Sequence, residues 1–459
     1  MAINNCPLCL TKQREIDRLT EELARLKQKL RYQERKAAQG FFGSSTPSAQ
    51  VPVKANTTPR EPKPKGARPG HPGNGRKSFA AGDADQVVEV AAEHENCPEC
   101  GGPLRDKGQE ERSVVEAPPL KAQLRVYRLP KKYCPQCRRT FIPKAPGVLP
   151  KSLYGNQLIA NAAVLHYGQG MPQGRVCQMT GLSNGALTEI FHRLARLFAA
   201  VPPKLIQEYK KDPAKHADET GWRTNGKNGY AWLFATQQLS IFLFGKNRSA
   251  AVPQELFGKN QSPGVLVVDR YSGYNQVPCA LQYCYAHLLR EVQNLEKEFP
   301  AEGEIQTFVA TVAPLLAKAM SLKQKKISNT RFYAQAKKLK AKIKAAMKAP
   351  AKHLAIRRIQ DIFREHANRL YHWAHDRRVP AHNNLAERDL RPSVIARKVS
   401  FGSNSTAGAN TRSILTTILQ TLKKRGRDPN LYLKQTLDQL AHHPKRDPYH
   451  LLFRTPGPE

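Results

Sequence analysis

Gly264-Val265-Leu266-Val267-Val268-Asp269 is the stretch from which the fold is read. An apolar run this short, rich in β-branched residues and closed by an acid, reads as a strand buried on both faces at the centre of a sheet. Around it, Lys215-His216-Ala217-Asp218 opens one strand, and Tyr230–Thr236 and Leu239–Phe244 give two more. Ser249–Phe257 reads as a short helix, Tyr283–Tyr285 as a further short strand and Ala286–Glu298 as a helix. Strands interleaved with helices describe an α/β or α+β core. From about 300 to 376 the chain turns Ala/Lys/Leu-rich, with Phe332, Ala336, Leu339, Ile343 and Met347 on one helical face, the texture of a helical insertion. Beyond Pro380 a polar helix, a Gly/Ser loop at 402–408 and a last pair of helices follow, without internal repeats.

The 459 residues carry 74 Lys+Arg against 37 Asp+Glu, a formal charge of +37. At roughly 150 residues per domain the length suggests about three domains. Charge of this size, spread along the chain, predicts a polyanionic partner, because neutralised phosphates release counterions. Nucleic acid is the expected partner. The apolar runs read as too short to cross a bilayer, and the first thirty residues are charged, without an apolar signal core. A cytoplasmic protein without a membrane span is expected.

Ile16, Leu19, Leu23, Leu26 and Leu30 recur at alternating steps of three and four, the seam of a two-heptad coiled coil. The same spacing fits a helix packing on its own protein. Residues 40–80 are rich in Gly, Ser, Pro and Lys and cannot bury a core, so they read as a basic linker. Cys97-Pro98-Glu99-Cys100 and Cys134-Pro135-Gln136-Cys137 are two Cys-x-x-Cys knuckles, 33 residues apart. Four thiolates at this spacing close a tetrahedral Zn2+ shell with no open position, which makes this zinc structural. Val87–Val90 and Gln123–Tyr127 are β-like runs in the same module. Cys6-Pro7-Leu8-Cys9 is a third knuckle without a partner pair, either two free thiols or half of a zinc site shared between chains.

Residues 156–200 read as helices: Gln157–His166, a break at Gly168 and Gly170, Pro172–Thr180, then Asn184–Phe198 after the turn Gly181-Leu182-Ser183. Ser183 suits an N-cap and Gly181 a helix end. A turn this short fits a helix-turn-helix, whose last helix would present Thr188, His192, Arg193 and Arg196 to DNA, although helical hairpins that only pack share the pattern.

Phosphodiester chemistry needs acids, since two ions about 3.5–4 Å apart stabilise the attacking and leaving oxygens. Asp218 lies in a strand beside Glu219, and only one of two strand neighbours can join a shared site. Asp269 ends the central strand. On a helix, Asn384, Glu387, Arg388 and Arg391 share one face, offering a carboxylate to metal and guanidinium forks to phosphate. Equally, Asn384 as N-cap with Glu387 at N3 would be a capping box, and Glu387 then structural.

Asp218-Glu219-Thr220, Val268-Asp269-Arg270-Tyr271-Ser272-Gly273-Tyr274 and Asn383-Asn384-Leu385-Ala386-Glu387-Arg388-Asp389-Leu390-Arg391-Pro392 resemble the signature segments of the insertion-sequence 66 family of DDE transposases. The likeness covers nearly the whole chain. It implies a multidomain α+β protein: a leucine zipper at 1–36, a linker at 37–84, a zinc module at 85–147 and a helix-turn-helix at 150–205. An RNase H-like mixed-sheet core at 208–298, a helical insertion at 299–378, the last acid within 379–404 and a C-terminal helical region at 405–459 complete the implied order. By this resemblance Asp218, Asp269 and Glu387 form the triad holding two Mg2+ or Mn2+ ions. Cys284-Tyr285-Ala286-His287 is similar to a Cys/His signature following the second Asp in several DDE groups, which makes Cys284, His287 and Asn384 candidates for supporting roles. The implied partners are element-end and target DNA, a second copy of the chain and small accessory proteins of the same element.

Overall fold

The structure, a computed structural model, describes residues 12, 15–24, 26–27, 81–83, 87, 95–96, 99–103 and 122–454. Cys6, Cys9, Leu30, most of the basic linker and Cys97 lie outside the described residues. The chain divides into two units, residues 52–121 and the remainder.

In the first of these, Asn96 and Pro103 bridge antiparallel around Cys100, and Gly101 takes φ +73°, a left-handed turn that suits glycine. In the second, strands β1 (Lys132–Cys134) and β2 (Arg139–Phe141) form an antiparallel hairpin carrying Cys134 and Cys137. The expected strand at Gln123–Tyr127 is not formed. Leu124 and Val126 alternate as a strand would, but both are fully exposed, so no apolar surface covers that face. Residues 15–24 and 26–27 are helical, with Ile16, Leu19, Leu23 and Leu26 exposed.

The core is a five-stranded mixed sheet in the order β6-β5-β3-β7-β8. Its strands are β3 (Ala214–Gly221), β5 (Tyr230–Ala235), β6 (Ser240–Lys246), β7 (Val265–Val268) and β8 (Ala280–Tyr283), with a two-residue β4 (Arg223–Thr224) outside it. β5 runs antiparallel to both β3 and β6, whereas β3, β7 and β8 run parallel. The Val265–Val268 run is buried throughout, as expected of a parallel strand covered on both faces. The last strand falls at 280–283, a few residues before the expected Tyr283–Tyr285, and Tyr285 opens the following helix, Tyr285–Glu298.

Strand β5 alternates between the two faces of the sheet. Trp232 and Phe234 join the large core built with the helices Asn156–Ala163, Asn184–Leu197, Val201–Lys211 and Tyr285–Glu298. Ala231, Leu233 and Ala235 pack instead with Leu385, Ala386 and Leu390 of the helix Asn384–Ser400. That helix thus seals one face of the sheet, the face on which Asp218 pairs opposite Leu233.

β6 is an edge strand, and the helix Thr406–Lys424 covers it chemically as well as sterically. Ser413, Thr417 and Thr421, spaced one turn apart, accept hydrogen bonds from the backbone N–H groups of Phe244, Phe242 and Ser240 at 2.9, 2.9 and 3.2 Å. Hydroxyls therefore satisfy the donors that a free edge would expose. The insertion comprises helices Gly303–Leu322, Asn329–Lys348 and Leu354–Glu365. Contrary to the expectation that no segment could span a bilayer, Gly303–Leu322 is long and apolar enough by composition. Its Ile305, Val309, Val312, Leu316 and Ala319 are buried in the main core, which marks a core helix.

Candidate active site

Asp218 sits in mid-strand on β3, Asp269 directly follows β7, and Glu387 lies in the first turns of Asn384–Ser400. Parallel pairing of β3 with β7 and packing of that helix over β3 bring the acids together. Burial pushes the Asp218 carboxyl well above the usual range, and the charges of Glu219, Asp269 and Glu387 push it further. Asp269 and Glu387 are also raised, chiefly by burial, with Asp269 adding to the rise at Glu387. Arg290 and Arg391 pull Glu387 back down. Asp218 Oδ1 accepts the N–H of Glu219 at 3.0 Å, and Asp269 Oδ1 that of Tyr271 at 2.9 Å. Asp218 Oδ2 and Glu387 Oε1 are buried without a hydrogen-bond partner among the described residues. Arg290 approaches Glu387 Oε1 at 3.7 Å, longer than a hydrogen bond. Mutually repelling carboxylates with orphaned oxygens are a donor set that fits divalent cations.

Glu219 faces away, as strand geometry requires. It accepts from Arg248 Nε at 2.9 Å and from the Tyr274 hydroxyl at 2.7 Å, while burial and Asp269 push its carboxyl up to about 7. Asp389 likewise points off the site, accepting from Ser240 Oγ at 2.9 Å and pairing with Lys424.

The capping-box alternative for Glu387 does not hold. Asn383, one residue earlier than expected, is the N-cap residue, and its side chain makes no cap hydrogen bond. Its Oδ1 faces His216 Nδ1 at 2.9 Å, its Nδ2 donates to Ala217 O at 2.8 Å, and its backbone N–H donates to Cys284 Sγ at 3.1 Å. At the other end, Arg397 donates to Thr220 Oγ1 at 2.8 Å and Gly221 O at 2.7 Å. The helix is thus pinned to β3 on either side of Asp218. Asn383 was missed because an Asn-Asn pair does not reveal which member is buried. Asn384 is exposed.

Cys284 and His287 do join the site: one ligand atom from each lies within 4.8 Å of the other and of a Glu387 oxygen. Burial, then Arg290 and Arg270, depress His287 to about 3, so its imidazole is neutral. Arg388 and Arg391 are exposed; Arg391 acts on Glu387, whereas Arg388 acts on Lys424, on the Asp389 side.

The expected recognition helix spans Asn184–Leu197, with Ser183 Oγ accepting the N–H of Ala186 and Gly181 in the left-handed conformation. Thr188 and Arg196 are exposed. His192 bonds Thr411 Oγ1 at 2.7 Å and Arg193 donates to the carbonyls of Lys151 and Pro150, so these two side chains tie the helix to its own protein. Cys134 ends β1 and Cys137 lies in the hairpin turn, and the backbone N–H of Cys137 holds the Cys134 thiol below its usual range, favouring the thiolate that zinc binds.

A five-stranded mixed sheet and the helix packed on it thus bring three acids from separate elements together. The family model described as Transposase IS66 family matches residues 151–411, more than half of the chain, which therefore belongs to that family. A second, the zinc-finger binding domain of transposase IS66, matches residues 94–138 and accounts for both knuckles, supporting structural zinc. Among curated proteins, the uncharacterized protein y4qI of Sinorhizobium fredii (strain NBRC 101917 / NGR234) is 27% identical over 80% of this chain and 74% of its own. The uncharacterized protein y4jD of the same strain is 23% identical over 77% of this chain and 76% of its own.

Proposed function

We propose that this chain is a DDE transposase with an RNase H-like core, which binds the ends of its element and catalyses strand cleavage and strand transfer. The observation that carries the reading is the meeting of Asp218, Asp269 and Glu387, two of them with buried, unpartnered oxygens. Divalent ions held there, Mg2+ or Mn2+ as a pair, would supply Lewis-acid polarisation of the scissile phosphate and lower the pKa of the attacking hydroxyl.

The chain's own residues set the geometry. The N–H groups of Glu219 and Tyr271 orient the two aspartates, and Asn383 and Arg397 fix the helix that presents Glu387. Arg391, and at greater distance Arg388, offer guanidinium forks to DNA phosphates. In cleavage, water attacks phosphorus, the bond to the 3′ oxygen breaks and that oxygen leaves protonated. The freed 3′-hydroxyl then attacks target DNA in line, forming one phosphodiester as another breaks.

The zinc module and the 173–197 helix pair, with Thr188 and Arg196 outward, would read the element ends. The exposed Ile16, Leu19, Leu23 and Leu26 would pair two chains as a short zipper. Accessory proteins of the element and a cytoplasmic site of action complete the proposal.

The test combines purified protein, Mg2+ or Ca2+, and labelled DNA carrying the element's terminal repeats, scored for cleavage and joining beside Asp269→Asn. Joined products with Mg2+ alone, lost in the variant, support the reading. Tight, salt-dependent binding without cleavage, accessory proteins included, would overturn it in favour of a DNA-binding regulator.

A further inference from the structure

We propose that Cys284, His287 and Glu387 form a second metal position, a thiolate, imidazole and carboxylate set for a borderline-soft divalent ion of the Zn2+ class. It deepens the reading above and rests on it, because Glu387 is shared with the acidic triad.

Three observations converge. One ligand atom of each residue lies within 4.8 Å of the others. Both ring nitrogens of His287 are buried and have no hydrogen-bond partner among the described residues, and Glu387 Oε1 shares that condition. Cys284 is the N-cap residue of Tyr285–Glu298, and its sulfur accepts the Asn383 N–H at 3.1 Å. Cys284 and His287, three positions apart at a helix start, face the same side. Asn383 thus links this cluster to β3 through Ala217, placing it against the triad.

The donor chemistry selects the ion. Mg2+ prefers an all-oxygen shell, whereas sulfur and imidazole nitrogen favour Zn2+ and its neighbours. A thiolate and a carboxylate balance the two positive charges, the neutral imidazole adds none, and the thiol proton leaves to solvent on binding. Zn2+ holds sulfur at about 2.3 Å and nitrogen or oxygen at about 2.0–2.2 Å, so side-chain adjustments of about an ångström close the set around one ion. Three protein ligands leave a fourth position open, the arrangement of sites that do chemistry and not of those that only fold a module. Arg290, the cation facing Glu387 Oε1 at 3.7 Å, would turn aside.

The experiment strips the full chain with chelator, restores Co2+, and reads bound equivalents and thiolate-to-cobalt charge-transfer absorption. It compares the wild type with Cys284→Ser, His287→Gln and Asp218→Asn. The four-cysteine module binds in every case. Expected, over and above any Co2+ on the acidic triad, is one equivalent with added charge-transfer intensity, lost in Cys284→Ser and His287→Gln but kept in Asp218→Asn. Identical equivalents and intensity in wild type and Cys284→Ser would overturn the proposal. If the further equivalent depends on Asp218 and not on Cys284, the second position falls and the acidic triad stands. If nothing binds beyond the cysteine module in any protein, both fall. Because the His287 nitrogens have no hydrogen-bond partner among the described residues, His287→Leu is a second variant that removes the ligand without breaking a described hydrogen bond.

Discussion

Arg412 Nη2 meets His166 Nε2 at 2.9 Å, joining the C-terminal helix to the helices ahead of the sheet across 246 positions. The guanidinium has no lone pair to offer, so Nε2 accepts and the proton sits on Nδ1, which donates to Met171 O at 2.7 Å. Arg412 itself is buried over the rings of Tyr167 and Trp222 at 5.0 and 5.1 Å.

That pairing predicts a pH dependence. Burial, then Arg412, lower His166 from 6.5 to about 4. Between those values the unfolded chain binds the proton and the folded one does not, so stability falls as pH drops from 6.5 towards 4. The full shift corresponds to a loss on the order of 3 kcal/mol. Denaturant melts of wild type and His166→Gln across this window check it: the variant should lose that share of the slope.

Asn383→Ala should leave His216 and the Ala217 carbonyl without a partner, at a cost of about 1–3 kcal/mol. It should also loosen Glu387, lowering cleavage about 100-fold or more while DNA binding persists. Gel shift and cleavage assays on the same preparation separate the two effects. Equal loss of both would mean that the helix had unfolded.

Asp218→Asn should stabilise the metal-free chain. The amide removes a buried charge that Glu219, Asp269 and Glu387 all oppose. Thermal midpoints would rise by roughly 2–4 °C per kcal/mol recovered. The same variant should lose the stabilisation that Mg2+ gives the wild type, read from melts with and without the ion.

Thr417→Val keeps the shape and removes the hydroxyl that accepts from Phe242 N–H, leaving a buried donor unpaired. A loss of about 1–3 kcal/mol is expected, against near neutrality for a substitution on an exposed face. Equilibrium unfolding measures it.

Much of this arrangement was legible beforehand. The apolar run ending in Asp269 announced a central strand, and Gly181-Leu182-Ser183 set its turn, because burial on both faces and cap chemistry are local properties. The relations that make the site were not local. Nothing in Asn383-Asn384 reveals that the first of the two reaches β3. Cys284 and His287 read only as candidates for supporting roles, since their third neighbour arrives 100 positions after His287, in Glu387. Arg193 reads as a DNA contact from its place on the expected recognition helix, and only packing shows it spent on backbone carbonyls. Leu124 and Val126 show the opposite error, a strand pattern on residues that stay exposed and form no strand.

The helical insertion also has a temporal meaning. Asp269 and Glu387 stand 118 positions apart, and a ribosome adding roughly 5–20 residues per second takes about 6–24 s to travel between them. Throughout that interval the emerging polypeptide carries only Asp218 and Asp269 of the three acids and an uncovered sheet face, and on the proposed reading would be unable to cut DNA. On that reading competence would await the helix that closes the sheet, and a product truncated inside the insertion would lack the third acid.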